Sequence, residues 1–199
     1  MPRIFASVKS HHSTNLHSSS FSYDPDRLTL RCCSSYFAYL FVRVATQHTT
    51  VDVVGHSQLM DAPGQEPSVT LLDWASGNGT AAYWATWLVV RAFAPGDEFV
   101  ATTSNATAVY AQAWRHTCAE GRPDLPGATP GAQYQRVLLI NKLLAPSVAA
   151  VAGTWRACTA WTVDQRTGLS PPLTTTCVAR DGTVQAQLDG YATVVLQLA

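Results

Sequence analysis

The chain has 199 residues, 47% of them hydrophobic, and equal numbers of acidic and basic side chains, so its formal net charge is zero. That is enough apolar material for one good core, or for one domain and part of another. Only 13% of residues are charged and no basic stripe appears, so the footprint that nucleic-acid binding requires is missing and nucleic acid is set aside as a partner.

Residues 1–35 read as a disordered tail. The stretch is polar, carries His11, His12, His17 and the run Ser18 to Ser20, and ends in the turn-like Asp24-Pro25-Asp26. It has no apolar core of the kind a secretory leader needs, so no signal peptide is visible. The apolar stretch Tyr36 to Val42 is far shorter than the ~20 residues a membrane-spanning helix needs, and no membrane span is expected. From Tyr36 to Ala45, Phe37, Leu40, Phe41 and Val44 recur at three and four, which predicts a short amphipathic helix.

The β-branched run Val51-Asp52-Val53-Val54 predicts a strand buried on both faces, ending at Gly55-His56-Ser57-Gln58. After a loop with Pro63, Gly64 and Pro67, Val69 to Leu72 predicts a second short strand, closed by Asp73-Trp74 and the turn Gly77-Asn78-Gly79. Thr80 suits an N-cap, and Ala81 to Phe93 places Ala81, Trp84, Leu88 and Ala92 on one helical face before Pro95-Gly96 stops it. Helix, buried strand, helix is the rhythm of α/β architecture.

Beyond Gly96 the helical period ends and seven short strands are predicted: Glu98 to Thr103, Thr107 to Arg115, Arg136 to Asn141, Ser147 to Ala152, Trp155 to Val163, Thr183 to Leu188 and Tyr191 to Leu198. Gly, Pro and Asp turns separate them, and Cys118 to Gln133 reads as a long exposed loop. Residues 98–199 are therefore expected to form an antiparallel β-sandwich whose core includes Val137, Leu139, Val194 and Leu196. The fold class is mainly β, with a domain boundary near Asp97.

Five cysteines, an odd number without a C-x-x-C pair, argue against zinc. Cys158 and Cys177 read either as a disulfide joining two strands or as small buried thiols. His48, His56 and His116 lack ligand spacing, so no metal is expected. Leu59 stands where a nucleophile elbow around Ser57 needs glycine, and Gly77-Asn78-Gly79 is too short to cradle phosphate. No cofactor is implied. Asn78-Gly79-Thr80 and Asn105-Ala106-Thr107 are N-glycosylation acceptors, pointing to a glycoprotein.

The order "VDVVGHSQL", "SVTLLDW", "AAYWATWLVVRAF", then a sandwich containing "RVLLIN", resembles the end of a heparanase-like glycoside hydrolase of clan A. The resemblance implies that residues 36–97 are the last α/β unit of a (β/α)8 barrel, which takes ~250 residues when complete, and that the intact protein is extracellular or lysosomal. It also implies that the acid/base and nucleophile carboxyls, about 5 Å apart in retaining enzymes, stand upstream of anything present, so no catalytic residue is carried over. His56, Ser57 and Gln58, at the C-terminal end of a barrel strand, would then contact a glycan or oligosaccharide. Asp73 reads equally as a sugar contact or a turn cap, and Trp74 as a sugar platform or as core.

The expected function is thus that of a C-terminal glycoside hydrolase fragment whose sandwich buttresses a barrel and is inactive alone. The alternative is a non-catalytic carbohydrate- or protein-binding sandwich, with Tyr110 and Trp114 as an exposed aromatic row. Cutting a barrel before its last strand further predicts that residues 36–97 pack loosely on an independently stable sandwich.

Overall fold

The computed structural model describes residues 4–9, 38, 39, 42, 43, 46, 59, 60, 70–105 and 107–199. Among them, strand β1 (Ile4–Lys9) precedes helix α1 (Ala81–Ala92), and nine strands follow: β2 (Glu98–Val100), β3 (Thr102–Ser104), β4 (Val109–Thr117), β5 (Gln133–Asn141), β6 (Ser147–Ala152), β7 (Ala157–Val163), β8 (Leu173–Val178), β9 (Thr183–Leu188) and β10 (Thr193–Leu198). They form a six-stranded sheet, β2-β4-β5-β10-β7-β8, facing a four-stranded sheet, β3-β1-β6-β9. The protein is mainly β, a sandwich preceded by a helix.

The six-stranded sheet is buried on both faces at its centre. One set of alternate residues, with Val137, Leu139, Val194 and Leu196, packs against Ala149, Val151, Val184, Ala186 and Leu188 of the smaller sheet. The other set, with Trp114, Leu138, Ile140, Trp161 and Val195, packs under Ala81, Ala85, Leu88 and Ala92 of α1, joined by Ala38 and Val42. This accounts for the uninterrupted apolar runs of β5 and β10, since neither face of a central strand meets water. Ala38, Tyr39, Val42, Arg43 and Thr46 are helical. The predicted strand Val51 to Val54 lies outside the described residues, whereas of the predicted strand Val69 to Leu72 the described Leu72 bridges to Met60 on one side and Gly79 on the other.

Four expectations are corrected. Residues 4–9, assigned to a disordered tail, form β1, which pairs parallel with β3 and antiparallel with β6; Ile4-Phe5-Ala6-Ser7-Val8 is a β-compatible segment whose partners lie far along the chain. Strand β8 was missed because it is an edge strand with Thr174, Thr175 and Thr176 exposed, so it lacks the alternation of a half-buried strand. The Tyr110 and Trp114 row is no platform. Trp114 is only 2% exposed, because α1 covers the sheet face that alternation alone assigned to solvent. The loop after β4 is not wholly exposed either, since Leu125 is buried against Trp114 and its neighbours on the helix side of the sheet.

Turn chemistry joins the layers. Asp181 (φ 50°) and Gly182 (φ 71°) make the two-residue left-handed turn between β8 and β9, closed by mutual backbone bonds of Arg180 and Thr183. A Cβ at Gly182 would meet the Gly153 carbonyl oxygen at 2.3 Å, so glycine there serves both the turn and its contact with the β6–β7 connection. Cys158 and Cys177 stand opposite one another in register and are joined as a disulfide with their Cα atoms 4.9 Å apart, tying edge strand β8 to β7.

Candidate functional site

The segment from Leu71 to Thr80 folds back on itself ahead of α1. Asp73 closes it: its backbone amide donates to the Asn78 carbonyl at 2.9 Å and its carbonyl accepts from the Gly77 amide at 2.8 Å. Its carboxylate accepts from the Ser76 amide at 2.8 Å and the Ser76 hydroxyl at 2.5 Å. These hydrogen bonds from Ser76 lower the carboxyl's pKa from its ordinary value. Asp73 is thus engaged as a turn residue. Trp74 beside it is 53% exposed, with its indole open to solvent. Thr80 then caps α1, its hydroxyl donating to the Thr70 carbonyl at 2.6 Å and accepting from the Tyr83 amide. Gly79 is buried, and a Cβ on it would strike the Tyr83 ring at 2.2 Å. His56, Ser57 and Gln58 lie outside the described residues, so the structure brings none of them to Asp73 and Trp74. The two glycosylation acceptors, Asn78 and Asn105, are exposed.

A second cluster, at the C-terminal end of α1, is built of side chains from five separate parts of the chain. Arg136 of β5 is fully buried. Its guanidinium donates to the Ala92 carbonyl at 3.0 Å, to Gln197 Oε1 on β10 at 2.7 and 3.1 Å, and to Asp124 Oδ1 at 2.7 Å. The Trp114 indole donates to the same Ala92 carbonyl at 2.9 Å, so two buried donors satisfy a helix-end carbonyl that has no partner within its own helix. Asp124 Oδ2 lies 2.7 Å from His116 Nε2, and His116 Nδ1 lies 3.0 Å from both oxygens of Asp97. Asp97 in turn accepts from the Ala94 amide at 2.8 Å, fixing the turn between α1 and β2. The expected boundary at Asp97 therefore falls inside a packed junction.

Burial pulls the Asp124 carboxyl upward, but hydrogen bonds from His116, the Leu125 amide, Arg136 and Cys118 outweigh it and hold the group at about 2. Desolvation lowers Arg136 from its ordinary value, opposed by Asp124. Cys118, buried and outside any disulfide, is raised first by burial and then by Asp124, so it remains a thiol and is a poor nucleophile. The cluster is a hydrogen-bonded structural network, with its members spent on one another.

Sequence reasoning missed this network. Its legible signal was a lone arginine opening "RVLLIN" and a lone glutamine within "TVVLQL", which register places directly opposite each other. A cleft of about 550 Å³ lies above the network, lined by Glu98, Arg115, His116, Gln133, Tyr134 and Gln135 among others. Its polar groups are largely paired within the protein: Arg115 with Glu98 at 3.2 Å, Gln135 with the Trp114 carbonyl, Tyr134 with the Thr129 amide, and His116 with its two carboxylates. Among the described residues no group of three His, Cys, Asp or Glu side chains could hold a metal ion, and no helix is long and apolar enough to cross a membrane.

No protein-family model and no curated protein matches the chain. Solved structures do. A glycoside hydrolase family 30 subfamily 8 xylanase from Clostridium acetobutylicum superposes with a TM-score of 0.55 at 13% identity, covering 86% of this chain and 39% of that one. The catalytic domain of the family 30 xylanase C from Talaromyces cellulolyticus superposes with a TM-score of 0.57 at 16% identity, covering 83% of this chain and 35% of that one. The chain thus has a fold found within glycoside hydrolases and spans less than two fifths of the length of these two xylanases.

Proposed function

We propose that the chain is the C-terminal region of a glycan-acting glycoside hydrolase, in which the sandwich buttresses a barrel through α1 and the chain alone does no chemistry. The observation that carries this reading is the seat of α1: Ala85, Leu88 and Ala92 are fully buried on the outer face of the six-stranded sheet. A helix of a barrel would there be held by the outer face of the larger sheet. The family 30 xylanases with the same fold support a glycan-directed protein. The finer likeness to heparanase-like enzymes rests on the segments "SVTLLDW" and "AAYWATWLVVRAF".

Five of the described carboxylates are engaged in ways that fit inactivity: Asp73 by Ser76, Asp97 and Asp124 by His116, Glu98 by Arg115 and Asp164 by Arg166. Trp74 is the sugar-contact residue we favour, since a pyranose can lie on an exposed indole face, and His56, Ser57 and Gln58 would supply hydroxyl contacts. We place the protein outside the cell or in the lysosome, with N-glycans on Asn78 and Asn105. The test is hydrolysis of chromogenic β-glucuronide, β-glucoside and β-xyloside by the purified chain. No turnover is expected, and turnover abolished by Asp73→Asn overturns the reading and makes Asp73 catalytic.

A further inference from the structure

We propose that His116 is a proton-operated pin that fastens helix α1 to the six-stranded sheet. The ring side chain is 3% exposed and both of its nitrogens face carboxylates. Asp124 is acceptor on both oxygens: Oδ1 receives Arg136 Nη2 at 2.7 Å and the Leu125 amide at 2.5 Å, and Oδ2 faces His116 Nε2 at 2.7 Å. Nε2 must therefore carry hydrogen. On the other side, Nδ1 faces both oxygens of Asp97 at 3.0 Å, and Asp97 Oδ2 already accepts the Ala94 amide, so the carboxylate offers Nδ1 only acceptors. The second hydrogen accordingly sits on Nδ1, and the ring is an imidazolium donating in both directions.

Charge balance gives the same answer. Asp97 and Asp124 face His116 and Arg136, so the buried group is neutral only while the ring is charged. With a neutral ring, one carboxylate charge is uncompensated away from water, and a ring lone pair points at a carboxylate oxygen across about 3 Å. The other charged groups nearby do not offset this. Arg115 of β4 pairs with Glu98 of β2 at the surface, Arg122 of the loop donates to the Phe93 carbonyl, and the Cys118 thiol stays protonated. Loss of the proton thus loosens the Ala94 to Asp97 turn and, through Asp124 and Arg136, the grip on the Ala92 carbonyl. The core between the two sheets contains none of these residues. The pin holds in acid and slackens as the ring is neutralised, a device independent of any glycan.

The test uses the full chain with ¹⁵N-labelled histidine, starts in mild acid and is carried upward in pH until the ring nitrogens of His116 change state; α1 exchange that accelerates before they do also overturns the proposal. At the acid end the His116 ring is expected to show both nitrogens protonated. As that signature disappears, hydrogen exchange of the α1 amides, corrected for intrinsic rate, should accelerate at least tenfold while that of β9, which contributes nothing to the network, does not. In His116→Gln, α1 exchange should already be fast at acid pH and respond little to pH. A ring with one bare nitrogen at the acid end, or ring titration that leaves α1 exchange unchanged, overturns the proposal. Should His116→Gln fail to fold, the wild-type comparison of ring and amides decides alone.

Discussion

The guanidinium of Arg136 and the carbonyl of Ala92, 44 positions apart in the chain, meet at 3.0 Å in a setting where the arginine is fully buried. A helix end is thereby anchored by a charged side chain of the sheet beneath it. Removing one partner of a buried ion pair leaves the other uncompensated and costs about 3–5 kcal/mol. Arg136→Met is expected to destabilise the protein by that amount in urea unfolding, and Arg136→Met combined with Asp124→Asn by distinctly less.

Trp114 sits under α1 where a binding platform would have displayed it. Trp114→Ala is expected to cost about 3–5 kcal/mol in thermal or urea unfolding, and to act through stability alone. Oligosaccharide binding lost by Trp114→Ala at unchanged stability would return the residue to the role of a surface contact.

Leu88 is fully buried between α1 and the sheet. Leu88→Ala should cost about 2–5 kcal/mol. If α1 and the sandwich share one cooperative unit, α1 helicity and the sheet signal in circular dichroism will be lost together. If residues 36–97 are loosely packed, the helical signal will melt first.

The acid limit of stability is expected to involve Asp124. Its folded pKa of about 2 lies below its ordinary value of 3.8, so the unfolded chain takes up the proton first as pH falls. The stabilising contribution is complete above the ordinary value and is lost on descent towards about 2. Asp124→Asn should flatten this acid limb of the unfolding midpoint. An unchanged acid limb would show that other carboxyls set it.

The Cys158 to Cys177 bridge closes a loop with a sequence separation of 19. Closing a loop of that length restricts the unfolded chain by about 3 kcal/mol. Reduction with dithiothreitol should lower the urea midpoint accordingly, with strands β7 and β8 the first to lose exchange protection.

What could be read from the sequence was whatever has a local period. The alternation of Val137 with Leu139 and of Val194 with Leu196 identified the face that meets the smaller sheet. Thr80 and the tetrad spacing of Trp84 and Leu88 marked α1 almost to the residue, the helix running Ala81–Ala92 with Phe93 as its C-cap. Period says nothing about what lies on the second face, so Trp114 was assigned to water although α1 covers it. The Asp97, His116, Asp124, Arg136 and Gln197 network escaped notice for a related reason. Each member is unremarkable beside its chain neighbours, and only the fold brings them within 3 Å. Strand β8 left no trace because an edge exposed at Thr174 to Thr176 needs no apolar rhythm.

Strand β10 is the last element in chain order, yet it lies in the interior of the larger sheet, with β5 on one side and β7 on the other. The half made of β2, β4 and β5 and the half made of β7 and β8 are joined edge to edge only through it. Until β10 is in place both halves keep open edges, a topology that folds late and exposes pairing edges to other chains. Loss of β10 would accordingly leave two sticky half-sheets, so the short segment from Thr193 to Leu198 governs whether the nascent chain becomes a sandwich or an aggregate.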